Sequence, residues 1–211
     1  MEANSKGKIK HEITGLLLCA GFSGRMGTSK ALMIHNGLPF AVSIIKKLLL
    51  VCKNVIVVVG HESEKVKSVI KDYLKEAEIS RVKFILNANY KDGMFSSLQC
   101  GLRHISNTDW ILYHFVDQPL IPDLFYSEFV NHLSGDINWI QPIYSGKPGH
   151  PILFNDDVSS FILEITNKSS LREVSKDRRI IKYNWDCIYP EVLHDIDTIE
   201  DFNKLRTQNS N

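Results

Sequence analysis

The chain alternates short apolar runs with longer segments in which apolar residues recur every three or four positions. Short apolar runs are typical of buried strands, and the longer spacing is typical of helices that bury one face. The clearest runs are residues 15–20, 54–60, 82–86 and 110–116. Helical patterns separate them, and this order predicts an α/β fold with a mostly parallel sheet flanked by helices.

The helical patterns have recognisable boundaries. Pro39 is placed to open the first of them, because proline is favoured in the first helical turn. The predicted helices cover residues 39–52, 62–77, 97–105, 122–133, 156–165 and 170–175, and a last one starts at a capping-box-like pair, Thr198 and Asp201. Further strands are predicted at 140–143, 152–154 and 180–185, and we expect mixed or antiparallel order around the SGKPGHP turn.

Length and composition limit the number of domains. The chain has 211 residues, of which 44% are apolar, and this is enough for one well-buried core and short for two. We therefore expect a single domain over residues 1–211. The polar ends, 1–12 and 204–211, are predicted to be flexible.

Charge and cysteine spacing exclude several classes of protein. With 25 basic and 24 acidic residues the net charge is +1, which gives no field to attract nucleic acid or a membrane surface. The four cysteines show neither metal-ligand spacing nor a disulfide framework. Since no segment has the pattern of a signal peptide or a membrane span, we expect a cytoplasmic protein with no nucleic-acid or membrane partner.

A glycine-rich loop follows the first predicted strand. Gly21, Gly24 and Gly27 allow a tight backbone path with amides free to face an anion, while Arg25 and Lys30 supply positive charge. This spacing is neither a P-loop nor a dinucleotide-binding GxGxxG. The loop indicates a phosphate site; the alternative is an ordinary turn with a solvated arginine and lysine.

Carboxylates form a second candidate ligand site. Asp117 ends the fourth predicted strand, and open α/β sheets bind ligands beyond the carboxyl ends of their strands. It could hold Mg²⁺, which prefers oxygen ligands and bridges substrate phosphates, or it could cap its own turn. Either Asp195 or Asp197 could complete the metal site, unless Asp197 caps the next helix.

Two further segments carry polar groups. Asn87, Gly93, Ser96 and Ser97 could contact a base or ribose, or the serines could simply cap a helix. His150, in KPGHP, is either a structural histidine or a group that faces substrate.

These motifs together resemble one family. LLCAGFSGRMGTSK resembles the LAAGxSxRMGxxK signature of the MobA-like NTP transferases, and NANYKDGMFSSL, VDQP, PGHP and DIDTIEDF follow in the order of its molybdopterin cytidylyltransferase branch. The five motifs extend from Leu16 to Phe202. The resemblance implies a Rossmann-like α/β fold of the nucleotide-diphospho-sugar transferase type.

The resemblance also implies an activity and a site. The expected enzyme transfers CMP from CTP to the phosphate of molybdopterin and releases pyrophosphate, so a phosphate oxygen is the nucleophile and no side-chain base is needed. The implied catalytic residues are Arg25, Lys30 and Asp117, with Mg²⁺ held by Asp117 and Asp197. The implied nucleotide contacts are Leu18, Cys19, Ala20, Gly21, Ser23, Gly24, Arg25, Lys30, Asn87, Gly93, Ser96 and Ser97, and Gln118 and His150 face the pterin.

Small features favour cytosine. Members specific for cytosine tend to carry alanine before the motif's glycine, as Ala20 does, and a DQP segment, whereas Cys19 replaces the usual alanine. The alternatives are a GTP-dependent guanylyltransferase, a sugar- or alcohol-phosphate nucleotidyltransferase, and a non-catalytic maturation factor for a molybdenum hydroxylase such as xanthine dehydrogenase. Such a hydroxylase or its maturation factor is also a candidate partner of the enzyme.

Overall fold

The computed structural model describes residues 11–21 and 28–208. The strands of this part are β1 (Ile13–Cys19), β2 (Ile34–His35), β3 (Leu38–Pro39), β4 (Asn54–Val59), β5 (Val82–Leu86), β6 (Trp110–Phe115), β7 (Trp139–Tyr144), β8 (Lys147–Pro148), β9 (Ile152–Asn155) and β10 (Lys182–Asp186). The α-helices are α1 (Phe40–Val51), α2 (Ser63–Tyr73), α3 (Glu76–Ile79), α4 (Met94–Leu102), α5 (Asp123–Phe129), α6 (Asp156–Glu164), α7 (Leu171–Val174) and α8 (Ile199–Gln208).

The main sheet has the strand order β10-β7-β9-β6-β1-β4-β5, and β8 pairs with the end of β7. β1 is parallel to both of its neighbours, β4 and β6, and β5 is parallel to β4. β9 runs antiparallel to β6 and β7, and β10 is parallel to β7. The predicted mostly parallel sheet flanked by helices is confirmed, and so is the expected change to antiparallel order near the SGKPGHP turn.

Both faces of the sheet are buried, and this explains the continuous apolar runs. In β1, Leu17 and Cys19 belong to the core that α1 covers, whereas Leu16, Leu18 and Ala20 belong to the core beneath α4 and α6. Alternate residues of a strand face opposite sides of a sheet. The first strand is therefore buried along its whole length, because each side of the sheet has its own helical layer.

Several predicted helix boundaries were wrong. The helix predicted at 62–77 ends at Tyr73, because Leu74 is extended, and α3 starts where the Glu78 carboxylate accepts a hydrogen bond from the Lys75 N–H at 2.8 Å. α4 begins at Met94 rather than 97, and the end of the helix predicted at 122–133 is a 3-10 turn, Val130–His132. The sequence pattern did not predict the small β2–β3 hairpin.

The chain ends differ partly from expectation. The capping box that starts α8 is confirmed, since Thr198 N–H donates to Asp201 at 3.0 Å and Asp201 N–H donates to the Thr198 hydroxyl at 3.2 Å. α8 runs to Gln208, so residues 204–208 of the segment predicted to be flexible are helical. No helix within the described ranges is long and apolar enough to cross a membrane.

We expect Gly101→Ala to destabilise the fold. A Cβ at this position of α4 would lie 2.5 Å from Leu16 Cδ1 and 2.8 Å from Val58 Cγ2, both in a buried core. Alanine gains about 1 kcal/mol of helix propensity over glycine, while overpacking costs about 1–3 kcal/mol. Urea denaturation should therefore show a net loss of about 1 kcal/mol, whereas Gly135→Ala, with open space around it, serves as the control.

Candidate active site

The carboxyl ends of three parallel strands meet at one edge of the sheet. Cys19 pairs in register with Val59, and Leu18 pairs with Phe115. Ala20, Gly60 and Asp117 therefore follow neighbouring strands at the same edge. The chain passes from β1 to β4 on one side and later returns as β6 on the other, and such a switch point is where open α/β sheets bind ligands.

One lysine at this edge contacts two carboxylates. Lys30 Nζ lies 2.6 Å from Asp197 Oδ1 and 3.3 Å from Asp117 Oδ2. Lys30 begins the 3-10 turn Lys30–Leu32, Asp117 follows β6, and Asp197 precedes α8. The fold thus brings together three residues that were predicted to bind phosphate and metal. Asp117 is 87 positions and Asp197 is 167 positions from Lys30 in the sequence.

Asp117 is only partly satisfied by its surroundings. Burial raises the pKa of its carboxyl, although the Lys30 ammonium opposes this effect, and the charge of Asp197 raises it further. Its second oxygen, Oδ1, is buried and has no hydrogen-bond partner among the described residues. Because a buried carboxylate oxygen without a partner is costly, this atom is suited to binding a cation.

The segment 192–197 runs alongside the turn after β6. Ile196 N–H donates to the Asp117 carbonyl at 2.8 Å, and the Gln118 side-chain amide donates to Asp195 Oδ1 at 2.8 Å and to the Val192 carbonyl at 3.2 Å. Gln118 Oε1 is buried and has no partner in the part of the chain that the structure describes. The structure therefore separates the two candidate carboxylates: Asp197 contacts Lys30, and Asp195 contacts Gln118.

Residues 149 and 150 pack against the same segment. His150 N–H donates to the Val192 carbonyl at 3.0 Å. A Cβ on Gly149 would lie 2.6 Å from that carbonyl oxygen, so the close approach of the two chain segments requires glycine. The His150 ring lies 4.4 Å from the Phe115 ring, and its buried Nδ1 has no partner in the described chain.

The loop between β5 and α4 is hydrogen-bonded to the first turn of α4. The Asn87 amide donates to Ser96 Oγ at 3.1 Å and to Ser97 Oγ at 2.9 Å, and Asn87 Oδ1 accepts the Asn89 N–H. Ser96 also donates toward the Gly93 carbonyl at 2.8 Å. Asn87, Ser96 and Ser97 are buried, so these side chains shape the loop, and their contact with a nucleotide stays a prediction.

The end of β1 presents two different faces. Leu18 and Ala20 point toward the α4 side, whereas Cys19 is buried in the core on the α1 side, where burial raises the pKa of its thiol. Any contact of Cys19 with a ligand on the α4 side would have to use its backbone. Gly21 is exposed, and the predicted residues Ser23, Gly24 and Arg25 lie outside the described residues.

The sequence did not indicate which side chains hold the backbone before and after Asp117. The buried His114 ring donates from Nδ1 to the Phe115 carbonyl at 2.7 Å, and Nε2 accepts from the Tyr126 hydroxyl at 2.7 Å. Lys47 of α1 donates to the Pro119 carbonyl at 2.6 Å. His114 stands inside an apolar strand and Lys47 in a helical pattern, so neither carried a functional signal in the sequence.

Metal ligands are few among residues 11–21 and 28–208. No group of three or more His, Cys, Asp or Glu side chains there has the geometry to hold a metal ion. The two carboxylates Asp117 and Asp197 share Lys30 instead. This set suits a cation that takes its remaining ligands from water and substrate phosphates.

Comparison with known proteins connects this geometry to a family. The model of the MobA-like NTP transferase domain matches residues 15–182. The molybdenum cofactor cytidylyltransferase of Escherichia coli (strain K12) is 25% identical over 189 residues, which cover 89% of this chain and 92% of that protein.

Solved structures share the fold. A nucleotidyl transferase from Methanothermobacter thermautotroptrophicus superposes with a TM-score of 0.77 at 20% identity, covering 95% of this chain and 99% of that one. Rv0371c from Mycobacterium tuberculosis H37Rv, in complex with manganese, has a TM-score of 0.70 at 17% identity and covers 92% of this chain and 97% of its own.

We expect His150 to make stability depend on pH. Burial lowers the pKa of His150 from 6.5 to about 4, so below pH 6.5 the unfolded chain binds a proton that the folded chain does not. The stability present above pH 6.5 is then lost as the pH falls toward 4, by at most about 1.4 kcal/mol per pH unit. His150→Gln should flatten this part of a urea-denaturation profile; an unchanged slope would contradict the assignment.

Proposed function

Because the chain belongs to the MobA-like NTP transferase family, we propose that it transfers CMP from CTP to the phosphate of molybdopterin or its metal-loaded form. Membership of the family makes the chain a nucleotidyltransferase and confirms the resemblance indicated by its motifs. The 25% identity to a cytidylyltransferase supports the choice of CTP and of molybdopterin only weakly, and Ala20 and Gln118 add to it from the sequence.

The observation that carries the proposal is the contact of Lys30 with Asp117 and Asp197 at the ligand-binding edge. A carrier that only held a cofactor would not need a cation paired with two carboxylates there. Nucleotidyl transfer needs both, because negative charge develops on the α-phosphate and on the leaving group. This cluster favours catalysis over a purely carrying role.

The proposed reaction requires no side-chain nucleophile. An oxygen of the acceptor phosphate attacks the α-phosphorus of CTP, the bond from the α-phosphorus to the bridging oxygen breaks, and pyrophosphate leaves with that electron pair. No proton has to move, because the attacking oxygen is already anionic at neutral pH. The chain therefore acts by aligning the two phosphates and by offsetting their charge.

Charged residues divide this work. We assign Lys30 and Arg25 to the triphosphate. The same assignment includes the backbone of Leu18, Cys19, Ala20 and Gly21, and the residues Ser23 and Gly24. Asp117 and Asp197 hold a divalent cation, for which Mg²⁺ is our proposal. When bound, this cation would supply Lewis-acid stabilisation of phosphate charge. The buried, unpartnered Asp117 Oδ1 fits such a ligand.

The remaining predicted residues fall into two groups. Gly93 and the Asn87, Ser96 and Ser97 cluster shape the wall next to the nucleoside. Gln118 and His150 face the acceptor, and both retain buried polar atoms without a partner in the described chain. A molybdenum hydroxylase as partner receives no support from the comparisons and stays a prediction of the sequence.

Substrate choice is tested by direct turnover. Purified protein is incubated with molybdopterin, Mg²⁺ and one nucleoside triphosphate at a time, and pyrophosphate release is measured. We expect turnover with CTP and much less with GTP. Preference for GTP would overturn the cytidylyltransferase assignment, and absence of turnover with every triphosphate and acceptor would favour the maturation factor.

Metal ligation is tested by matched amide variants. Asp117→Asn keeps the shape of the side chain but removes its charge, so we expect kcat to fall by about 10²–10³-fold and Mn²⁺ affinity, measured by electron paramagnetic resonance, to fall with it. Asp197→Asn should weaken both as well, whereas Asp195→Asn should leave Mn²⁺ affinity nearly unchanged. Asp136→Asn, at an exposed position, is the control. Equal losses of Mn²⁺ affinity in the Asp195 and Asp197 variants would contradict the assignment of the metal to Asp197 alone of these two.

A further inference from the structure

A cavity lies on the α4 side of the sheet. It has a volume of about 250 Å³ and lies between the first turn of α4, strand β6 and residues 167–171, which lead into α7. Phe95, Leu98 and Leu171 provide apolar walls, and Tyr113 lines it from the sheet. The cavity is too small for a whole nucleotide and suits one flat ring system, since apolar walls favour the faces of a ring.

Tyr113 leaves a polar atom available to a ligand in this cavity. The residue is fully buried, and its hydroxyl has no hydrogen-bond partner among the described residues. A buried hydroxyl without a partner costs about 1–3 kcal/mol, so its presence in an otherwise apolar core needs an explanation. A ring heteroatom in the cavity would provide the missing partner.

A chain of aromatic contacts connects the cavity with the functional edge of the sheet. The Tyr113 ring lies 4.9 Å from the Phe115 ring, which in turn lies 4.4 Å from His150. Asp117 follows Phe115 by two residues, and its negative charge adds to burial in raising the pKa of Tyr113. A molecule in the cavity could thus extend a phosphate toward Asp117.

Charged side chains at the cavity define which ring edge it accepts. Asp92 lines it and makes no side-chain hydrogen bond or ion pair within the described chain; Lys168 is the other charged lining residue. An ionised carboxylate only accepts hydrogen bonds. It therefore attracts an edge with two neighbouring N–H donors and repels an edge that carries acceptors.

We propose that this cavity receives the ring end of the acceptor, and that Asp92 recognises a 2-amino-4-oxopyrimidine edge through its ring N–H and exocyclic amino group. The inference rests on the proposed function, in which the acceptor is a pterin. The Tyr113 hydroxyl bonds a ring heteroatom, and Phe95, Leu98 and Leu171 contact the ring faces. Cytosine presents one amino donor beside two acceptors, so the same carboxylate disfavours the base of CTP.

Direct binding tests the recognition of this edge. The full-length protein is titrated with 6-hydroxymethylpterin, whose fluorescence reports binding, and with 6-hydroxymethyllumazine, which has an oxygen in place of the 2-amino group. We expect the pterin to bind at least tenfold more tightly than the lumazine. Asp92→Asn should remove most of this difference, and Tyr113→Phe should weaken pterin binding about tenfold.

Kinetics separate this cavity from the nucleotide site. Both variants should raise the KM for molybdopterin about tenfold, while the KM for CTP and kcat at saturation stay near wild type. Asp136→Asn and Tyr183→Phe, both on the surface, are the matched controls. Because Tyr113→Phe removes a buried hydroxyl that has no partner among the described residues, its thermal denaturation midpoint should be at least as high as that of the wild type.

The outcomes are distinguishable. An unchanged KM for molybdopterin in both variants, with normal turnover of the wild type, overturns the cavity assignment and leaves the proposed function standing. A raised KM for the nucleotide alone assigns the cavity to a base and overturns the acceptor. If no triphosphate is turned over but pterin binding is lost in the variants, the cavity assignment holds and the proposed function fails.

Discussion

The Lys30 ammonium between Asp117 and Asp197 is the interaction on which the functional edge depends. Two carboxylates this near to each other repel, and burial adds to the cost of charging Asp117. The lysine offsets both effects, so the turn after β6 and the segment before α8 can lie side by side. The backbone bond from Ile196 to the Asp117 carbonyl and the Gln118 bonds then fix the register of the two segments.

The sheet could be predicted from the sequence because parallel strands buried on both faces leave continuous apolar runs. The order of its strands near residues 140–154 was expected to change, and the antiparallel β9 bears this out. Helix ends were harder, since they depend on local bonds such as that from Lys75 N–H to Glu78, which the apolar pattern does not contain. The β2–β3 hairpin has two-residue strands, too short to show alternation.

The candidate site was predictable because its charged residues stand in recognisable motifs: Lys30 after the glycine-rich segment, Asp117 after a strand and Asp197 before a capped helix. Lys30, Asp117 and Asp197 lie together, as expected for charged residues near a phosphate-binding loop. The sequence could not show the direction in which each side chain points. Cys19 points to the α1 side, and the Asn87 amide donates both of its hydrogens to Ser96 and Ser97. Tyr113 could not be identified from the sequence, because an aromatic residue inside a strand is normally assigned to the core. Only its buried hydroxyl, which has no partner among the described residues, distinguishes it.

The order in which the ribosome makes the chain gives the contact of Lys30 with Asp197 a consequence for biosynthesis. The sheet strands that surround β1 are complete when β9 has been made, but Asp197 is synthesised 167 residues after Lys30, about 10–30 s later at ordinary elongation rates. Until then the contact of Lys30 with Asp197 cannot form, and Gln118 and His150 lack the Val192 carbonyl as a hydrogen-bond acceptor. The charge cluster of Lys30, Asp117 and Asp197 is therefore completed only after these strands have been made, together with the last residues of the core, Tyr189 and Val192.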